Sequence, residues 1–170
     1  MKGTINGSLH DAQKTLTNNT KEINEHNTIV DLIRNDLSKV AKEVKVTRFR
    51  YMDKIKTQKN EIFHTSSEIR GKLFKEWKKQ LPEILLSMLP AGSICGAPKE
   101  KTVSIIREVE QEKRGYYTGI FGFFDGENLD SAVNIRYLEK HQGEIRYRSG
   151  GGITSPVSYT HLTLPTNREV

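Results

Sequence analysis

Residues 117–149 read YTGIFGFFDGENLDSAVNIRYLEKHQGEIRYRS, and this stretch decides the fold class. Three runs, Tyr117–Phe124, Ser131–Leu138 and Glu144–Ser149, are separated by turn signals at Asp125-Gly126 and Gln142-Gly143. Pairs of this kind supply the positive φ angles of tight hairpins, so the pattern predicts an antiparallel meander.

Upstream the periodicity changes. Ile23, Ile29, Val30, Ile33, Leu37 and Val40 recur at spacings of three and four, which predicts an amphipathic helix over Thr17 to Val40. Val44–Phe49 alternates like a half-buried strand, and Glu61–Lys72 reads as a strand running into a turn at Gly71. A helix over Leu81 to Leu89 carries Pro82 in its first turn. Pro90–Lys99 is a loop rich in Gly, Ala and Pro, followed by a helix from Thr102 to Glu112. Val103, Ile106 and Val109 form its inward stripe, Pro98 sits at its start and Gly115 serves as terminator. Helices in the first part and antiparallel strands in the last describe an α+β protein: an antiparallel sheet with flanking helices.

The chain has 170 residues, 35% hydrophobic and 28% charged, a globular composition with room for a core. No apolar run approaches the roughly 18 residues of a membrane span, and Met1-Lys2-Gly3-Thr4 opens no signal peptide. Cys95 is the single cysteine, which excludes an intrachain disulfide and makes the cytoplasm the expected compartment. The net charge of +6 admits an anionic partner. The basic residues alternate with acids and apolar residues, however, as on a solvated surface, and no aromatic platform for nucleic acid interleaves with them.

Four segments could carry chemistry. Glu22 and Glu25 stand three apart on the predicted helix, so their carboxylates share a face. Two oxygen ligands suit Mg²⁺, which keeps waters and takes one or two protein carboxylates, although a solvated helix face gives the same pattern. Asp31 and Arg34 can pair within the helix, with Asp36 closing a local network. In Pro90-Ala91-Gly92-Ser93-Ile94-Cys95-Gly96-Ala97-Pro98-Lys99, the glycines allow close approach of a ligand and the following helix start offers N–H groups to an anion. A tight connection between helices reads equally well. Gly150-Gly151-Gly152 follows a strand, where a ligand, another backbone or an ordinary bulge would explain it.

In sequence order, Lys2-Gly3-Thr4, Glu22 to Leu37, Pro90 to Lys99, Arg114-Gly115-Tyr116-Tyr117-Thr118-Gly119, Asn134-Ile135-Arg136 and Gly150-Gly151-Gly152-Ile153 form a set. The set resembles the second half of the chorismate-binding enzymes, which include anthranilate, isochorismate, salicylate and aminodeoxychorismate synthases. The resemblance runs from Lys2 to about Thr154 and implies half of an α+β sandwich of two antiparallel sheets with helices outside. It implies that Glu25 and Glu22 hold Mg²⁺, that His64 lies near the C4 hydroxyl of chorismate, and that Ser93, Gly92, Tyr117, Arg136, Gly150 and Gly152 hold the substrate's carboxylates and enolpyruvyl group. Lys2 resembles the lysine of aminodeoxychorismate synthase component I, a nucleophile that adds at C2 as the C4 hydroxyl departs, before ammonia enters at C4. Ammonia would come from a glutamine amidotransferase subunit. Anthranilate synthase usually has alanine at that place and is the alternative branch; a small basic nucleic-acid-binding module is the alternative class.

The resemblance also implies departures. The amino-terminal half of the family fold, with its general-acid glutamate, does not precede Lys2. The last helix, with a second metal glutamate and a substrate-binding lysine, does not follow Thr154. Residues 155–170 are instead similar to translated sequencing-adaptor read-through, so that 1–154 is expected to be a partial chorismate-binding domain and 155–170 a non-native tail. Cys95 stands where serine or threonine is usual. A chain so cut is expected to be inactive by itself and to expose part of its core.

Overall fold

The computed structural model describes residues 4–7 and 10–152. Lys2, Ile153, Thr154 and the expected tail at 155–170 lie outside the described residues. The chain divides into two units, Met1–Val133 and Asn134–Val170.

In the first unit the order is β1 (Thr4–Asn6), α1 (Ala12–Asn18), α2 (Thr20–Ser38), β2 (Lys42–Lys56) and β3 (Glu61–Lys72), then a 3-10 turn over Trp77–Gln80. Helices α3 (Leu81–Met88), α4 (Gly92–Cys95) and α5 (Lys99–Glu110) follow, then β4 (Ile120–Phe124) and β5 (Leu129–Val133). The expected helix from Thr17 is two helices, because Asn19 leaves helical geometry at φ −69° and ψ 109° and its side chain accepts the Glu22 N–H at 3.1 Å. An asparagine oxygen placed so satisfies one of the orphan donors at the start of α2.

Strands β1, β3 and β2 form one antiparallel sheet in that order, and α2 packs on β2 and β3. Strand β2 is far longer than Val44–Phe49 suggested, because irregular pairing between Val46 and Tyr51 lets it bend and continue. Arg50 sits in that irregularity with φ 43°, a conformation uncommon for a non-glycine residue. Its guanidinium donates to the Leu16 and Thr17 carbonyls at 3.2 and 3.3 Å, a cation at the carbonyl end of α1. Gly71 is no turn. It lies within β3, where a Cβ would come within 2.8 Å of the Ala41 side chain and 3.1 Å of Val44.

Helix α5 ends at Gln111 in the left-handed region (φ 53°), four residues before the expected Gly115. Val103 and Ile106 are partly buried, whereas Val109 is 73% exposed and does not belong to the stripe. The Asp125-Gly126 turn joins β4 to β5 as expected, with Asp125 Oδ1 accepting the Glu127 and Asn128 N–H groups at 2.7 and 2.6 Å. Phe121 and Phe123, on one face of β4, are 60% and 73% exposed.

The second unit holds β6 (Tyr137–His141) and β7 (Glu144–Arg148), paired antiparallel around Gln142-Gly143, both with positive φ. The meander is thus two separate hairpins. Pairing of the run Ser131–Leu138 stops at Val133 and resumes at Tyr137, and Arg136 within the break has φ 55°. No helix among the described residues is long and apolar enough to cross a membrane.

Candidate functional site

The first unit assembles polar groups that their local sequence does not place in its interior. Helix α2 turns His26, Val30 and Asp36 inward. His26 is 2% exposed, with Phe49 edge-on at 5.8 Å and Ser67 Oγ 2.7 Å from its Nε2. Ser67 Oγ also accepts the Arg50 N–H at 2.9 Å, which leaves its own proton available to the ring nitrogen. One hydroxyl therefore fastens α2 to both long strands. Ser67→Ala takes this partner from two inward-facing groups and is expected to cost about 1–3 kcal/mol, read as a lower urea midpoint with unchanged slope.

The neighbouring Glu25 side chain is 18% exposed and lies 3.9 Å from Lys21 Nζ, while Glu22 occupies the first turn. Glu25 is thus partly withdrawn from water, while its pairing with Lys21 on the same helix face also suits the solvated-face alternative. Two carboxylates one turn apart, one of them mostly withdrawn from water, fit a divalent cation that retains waters. Among the described residues no group of three or more His, Cys, Asp or Glu side chains gathers, so these two stand without a third protein ligand there.

His64 lies in a buried polar run of β3, His64-Thr65-Ser66. Asp53 is directly opposite on β2, with its Oδ2 3.5 Å from His64 Nε2, and Thr4 of β1 is opposite on the other side. Thr4, the last residue of the Lys-Gly-Thr motif, is therefore beside His64, while Lys2 and Gly3 lie outside the described residues.

The Pro90–Lys99 loop folds around Asp36. Its Oδ2 accepts the Gly92 N–H at 3.2 Å; its Oδ1 accepts the Lys99 and Lys39 ammonium groups, each at 2.9 Å. Lys99 also donates to the Met88 carbonyl at 3.0 Å. Burial opposes ionisation of Asp36, but the two ammonium groups outweigh it and hold the carboxyl below the usual carboxylate range. The expected local network is therefore only half present: Asp31 pairs with Arg34 at 3.5 Å, while Asp36 turns to the loop. What approaches Gly92 closely is α2, since a Cβ there would meet the Leu32 Cβ at 2.9 Å. Ser93, the next residue, is exposed.

A cavity of about 520 Å³ opens beside this loop, lined by Pro90, Ile94, Cys95, Ile106, Arg114 and Tyr117 among others. It brings Tyr117 to the loop that carries Ser93. Arg114 forks onto both Glu110 oxygens, donates to Thr118 Oγ1 at 3.2 Å and stands 5.4 Å over the Tyr117 ring. This pairing holds the Glu110 carboxyl low and raises the guanidinium further. Burial pushes the Cys95 thiol up, and its Sγ donates to the Ala91 carbonyl at 3.2 Å.

Arg136, Gly150 and Gly152 belong to the second unit. Arg136 is exposed, in the break before β6, and Gly150 and Gly152 are exposed after β7. Sequence reasoning assigned no role to His26, Ser67, Asp53 or Lys99. His26 and Lys99 do stand inside the motifs already singled out, which was a signal toward both.

A family model described as chorismate binding enzyme matches residues 1–156. An uncharacterized PabA-like protein of Haemophilus influenzae is 59% identical over 154 residues, which is 91% of this chain and 47% of that protein. A similarly named protein of Pasteurella multocida is 60% identical, with 91% and 48% covered. Anthranilate synthase component 1 of Acetivibrio thermocellus is 35% identical over 84% of this chain and 28% of its own length. The chain thus spans about half the length of the two PabA-like relatives. A crystal structure assigned to a 2,3-dihydroxybenzoate-specific isochorismate synthase, DhbC, of Bacillus anthracis superposes with a TM-score of 0.72 at 22% identity, over 94% of this chain and 43% of that one. The fold is accordingly part of the chorismate-utilising α+β fold, and the chain belongs to the chorismate binding enzyme family.

Proposed function

We propose that this chain carries the carboxy-terminal part of an Mg²⁺-dependent enzyme that aminates chorismate to 4-amino-4-deoxychorismate. The buried polar run at His64 carries the reading: His64 sits between Thr4 of β1 and Asp53 of β2, and Thr4 closes the Lys-Gly-Thr motif in sequence. In this reading Glu22 and Glu25 would hold Mg²⁺, and the bound ion would supply Lewis-acid polarisation at the ring carboxylate. The Lys2 amine forms a bond at C2 as the C4 hydroxyl leaves with its electron pair. Ammonia then bonds at C4 and the lysine departs from C2, so the net exchange is ammonia in and water out. His64 would give a proton to the departing hydroxyl. Ser93 and Tyr117 would hold the substrate beside the loop; Arg136, whose planar fork suits a carboxylate, and Gly150 and Gly152 as backbone donors are proposed from the family resemblance alone. A glutamine amidotransferase subunit supplies the ammonia.

In this reading the chain, which covers 47% of its Haemophilus influenzae relative, acts together with the rest of that length. On the same reading residues 1–154 are the native portion and 155–170 a non-native tail. A second reading, anthranilate synthase, is favoured by the relatives of that name near 35% identity. The test uses the gene restored from its source DNA to the length of those relatives. The protein is incubated with chorismate, Mg²⁺ and ammonium, and products are identified by mass spectrometry. Aminodeoxychorismate without pyruvate supports the first reading, anthranilate with pyruvate the second, and untouched chorismate with folded protein defeats both.

A further inference from the structure

Among the described residues of the first unit Asp36 is the one buried carboxylate, and the proposed reaction leaves it unused. Its two oxygens meet three elements besides their own helix, counting the relay through Lys99: the start of α4 through the Gly92 N–H, the start of α5 through Lys99, and the last residue of α3 through the Met88 carbonyl that Lys99 also holds. The side chain is 7% exposed, and Lys99 is 18% exposed, so water replaces neither partner easily. The partners lie 56 and 63 residues away in sequence, which makes the cluster a long-range tie.

We infer that Asp36, gripped by Lys99, is a positioning residue: it latches the Gly92–Ser93 turn onto the helix that carries Glu22 and Glu25. Helix α2 is one rigid rod, with Glu25 and Asp36 eleven residues, or about 16 Å of rise, apart. A turn tied to one point of that rod keeps a set distance from a cation held at another. The inference rests on the proposed roles of Ser93 and the two glutamates, but the latch itself needs no substrate to be seen. A salt bridge kept merely for stability is the competing account, and buried pairs are weak evidence of net stabilisation.

Amide hydrogen exchange is measured on the protein at its relatives' length, as wild type and as Asp36→Asn, with β2 and β3 amides as internal reference. Asn keeps an acceptor for the Gly92 N–H but loses the charge that gathers Lys99. The latch predicts at least about tenfold faster exchange at Gly92, Ser93 and Ile94, with β2 and β3 unchanged. Wild-type rates at the turn would overturn it. If D36N unfolds the chain, Lys99→Gln decides by the same criterion, since Lys99 takes no part in the Gly92 hydrogen bond.

The pH profile separates a charged latch from packing. Lys39 on α2, Lys99 on α5 and the Cys95 thiol on α4 are the titratable groups facing Asp36. Because the folded carboxyl titrates below its unfolded value, protection of the turn is complete above the ordinary carboxylate range. It is lost as pH falls through the lowered folded value. A turn indifferent to that titration overturns the latch. In the protein at its relatives' length, D36N should raise the chorismate KM about tenfold and leave kcat within about threefold, the mark of lost uniform binding. A fall in kcat alone overturns the positioning role. If no variant, wild type included, turns chorismate over, the proposed function fails while the exchange data still decide the latch.

Discussion

Lys2→Ala, in the protein restored to its relatives' length, is expected to cut aminodeoxychorismate formation by on the order of 10³-fold or more, the scale seen when a covalent nucleophile is removed. Ammonia cannot displace the C4 hydroxyl as readily without the intermediate, because the nucleophile splits one hard step into two easier ones. The lysine must be neutral to attack, and a site that withdraws it from water favours that form. Lys2→Arg separates charge from nucleophilicity, since the guanidinium keeps the positive charge and stays protonated. Both variants should be equally inactive, with chorismate binding retained. Intact-mass spectra of the wild type quenched during turnover should hold a lysine adduct that both variants lack. Activity of either variant within tenfold of wild type would remove Lys2 from the mechanism and leave the anthranilate-type reaction as the better reading of the same site.

The second large effect is placed on Glu25. Its side chain is mostly withdrawn from solvent beside the buried His26, so replacing it by glutamine removes a charge that water cannot make good. A bound metal supplies several kcal/mol of transition-state stabilisation. At about 1.4 kcal/mol per decade, Glu25→Gln should lower kcat/KM on the order of 10³-fold at fixed Mg²⁺. Part of that loss should return at high Mg²⁺. Glu22→Gln should act in the same direction, since its carboxylate shares that helix face. Rate against Mg²⁺ concentration reads both, and Mn²⁺ binding followed by electron paramagnetic resonance reads the site without turnover. An unchanged Mg²⁺ requirement in E25Q would take the cation elsewhere.

The helical face of α2 was legible because its apolar residues recur with the helical period, and periodicity is a local property. What that face does was not. His26 and Asp36 read as polar positions between the apolar ones, yet they are the buried residues of the helix together with Val30. Their partners Ser67, Gly92 and Lys99 lie 41, 56 and 63 residues away, so no window of sequence contains both ends of any of these bonds. The same limit explains the sheet. Alternation located the start of β2, but the irregular pairing around Arg50 that prolongs it to Lys56 is set by β3 and by the carbonyls of α1. Turn chemistry did better where it is self-contained: Asp125-Gly126 and Gln142-Gly143 form their hairpins with their own atoms and φ angles. Gly115 misled for the converse reason, since Gln111 tolerated the left-handed conformation first. The family resemblance supplied what periodicity could not, because an ordered set of motifs carries long-range information that a single motif lacks.

The β4–β5 hairpin has one further consequence. It is a two-stranded ribbon whose outer edges pair with no other strand among the described residues, and it turns Phe121 and Phe123 outward. The β4 edge carries neither charge nor proline, and an edge of this kind recruits whichever strand arrives first. When the rest of the fold is on the same polypeptide, it arrives first, because a tethered segment acts at an effective concentration on the order of millimolar. When it is not, the commonest strand nearby is another copy of the same hairpin, and that encounter grows with the amount of protein made. Covalent continuity thus sets whether these phenylalanines end in a monomer's interior or in a precipitate.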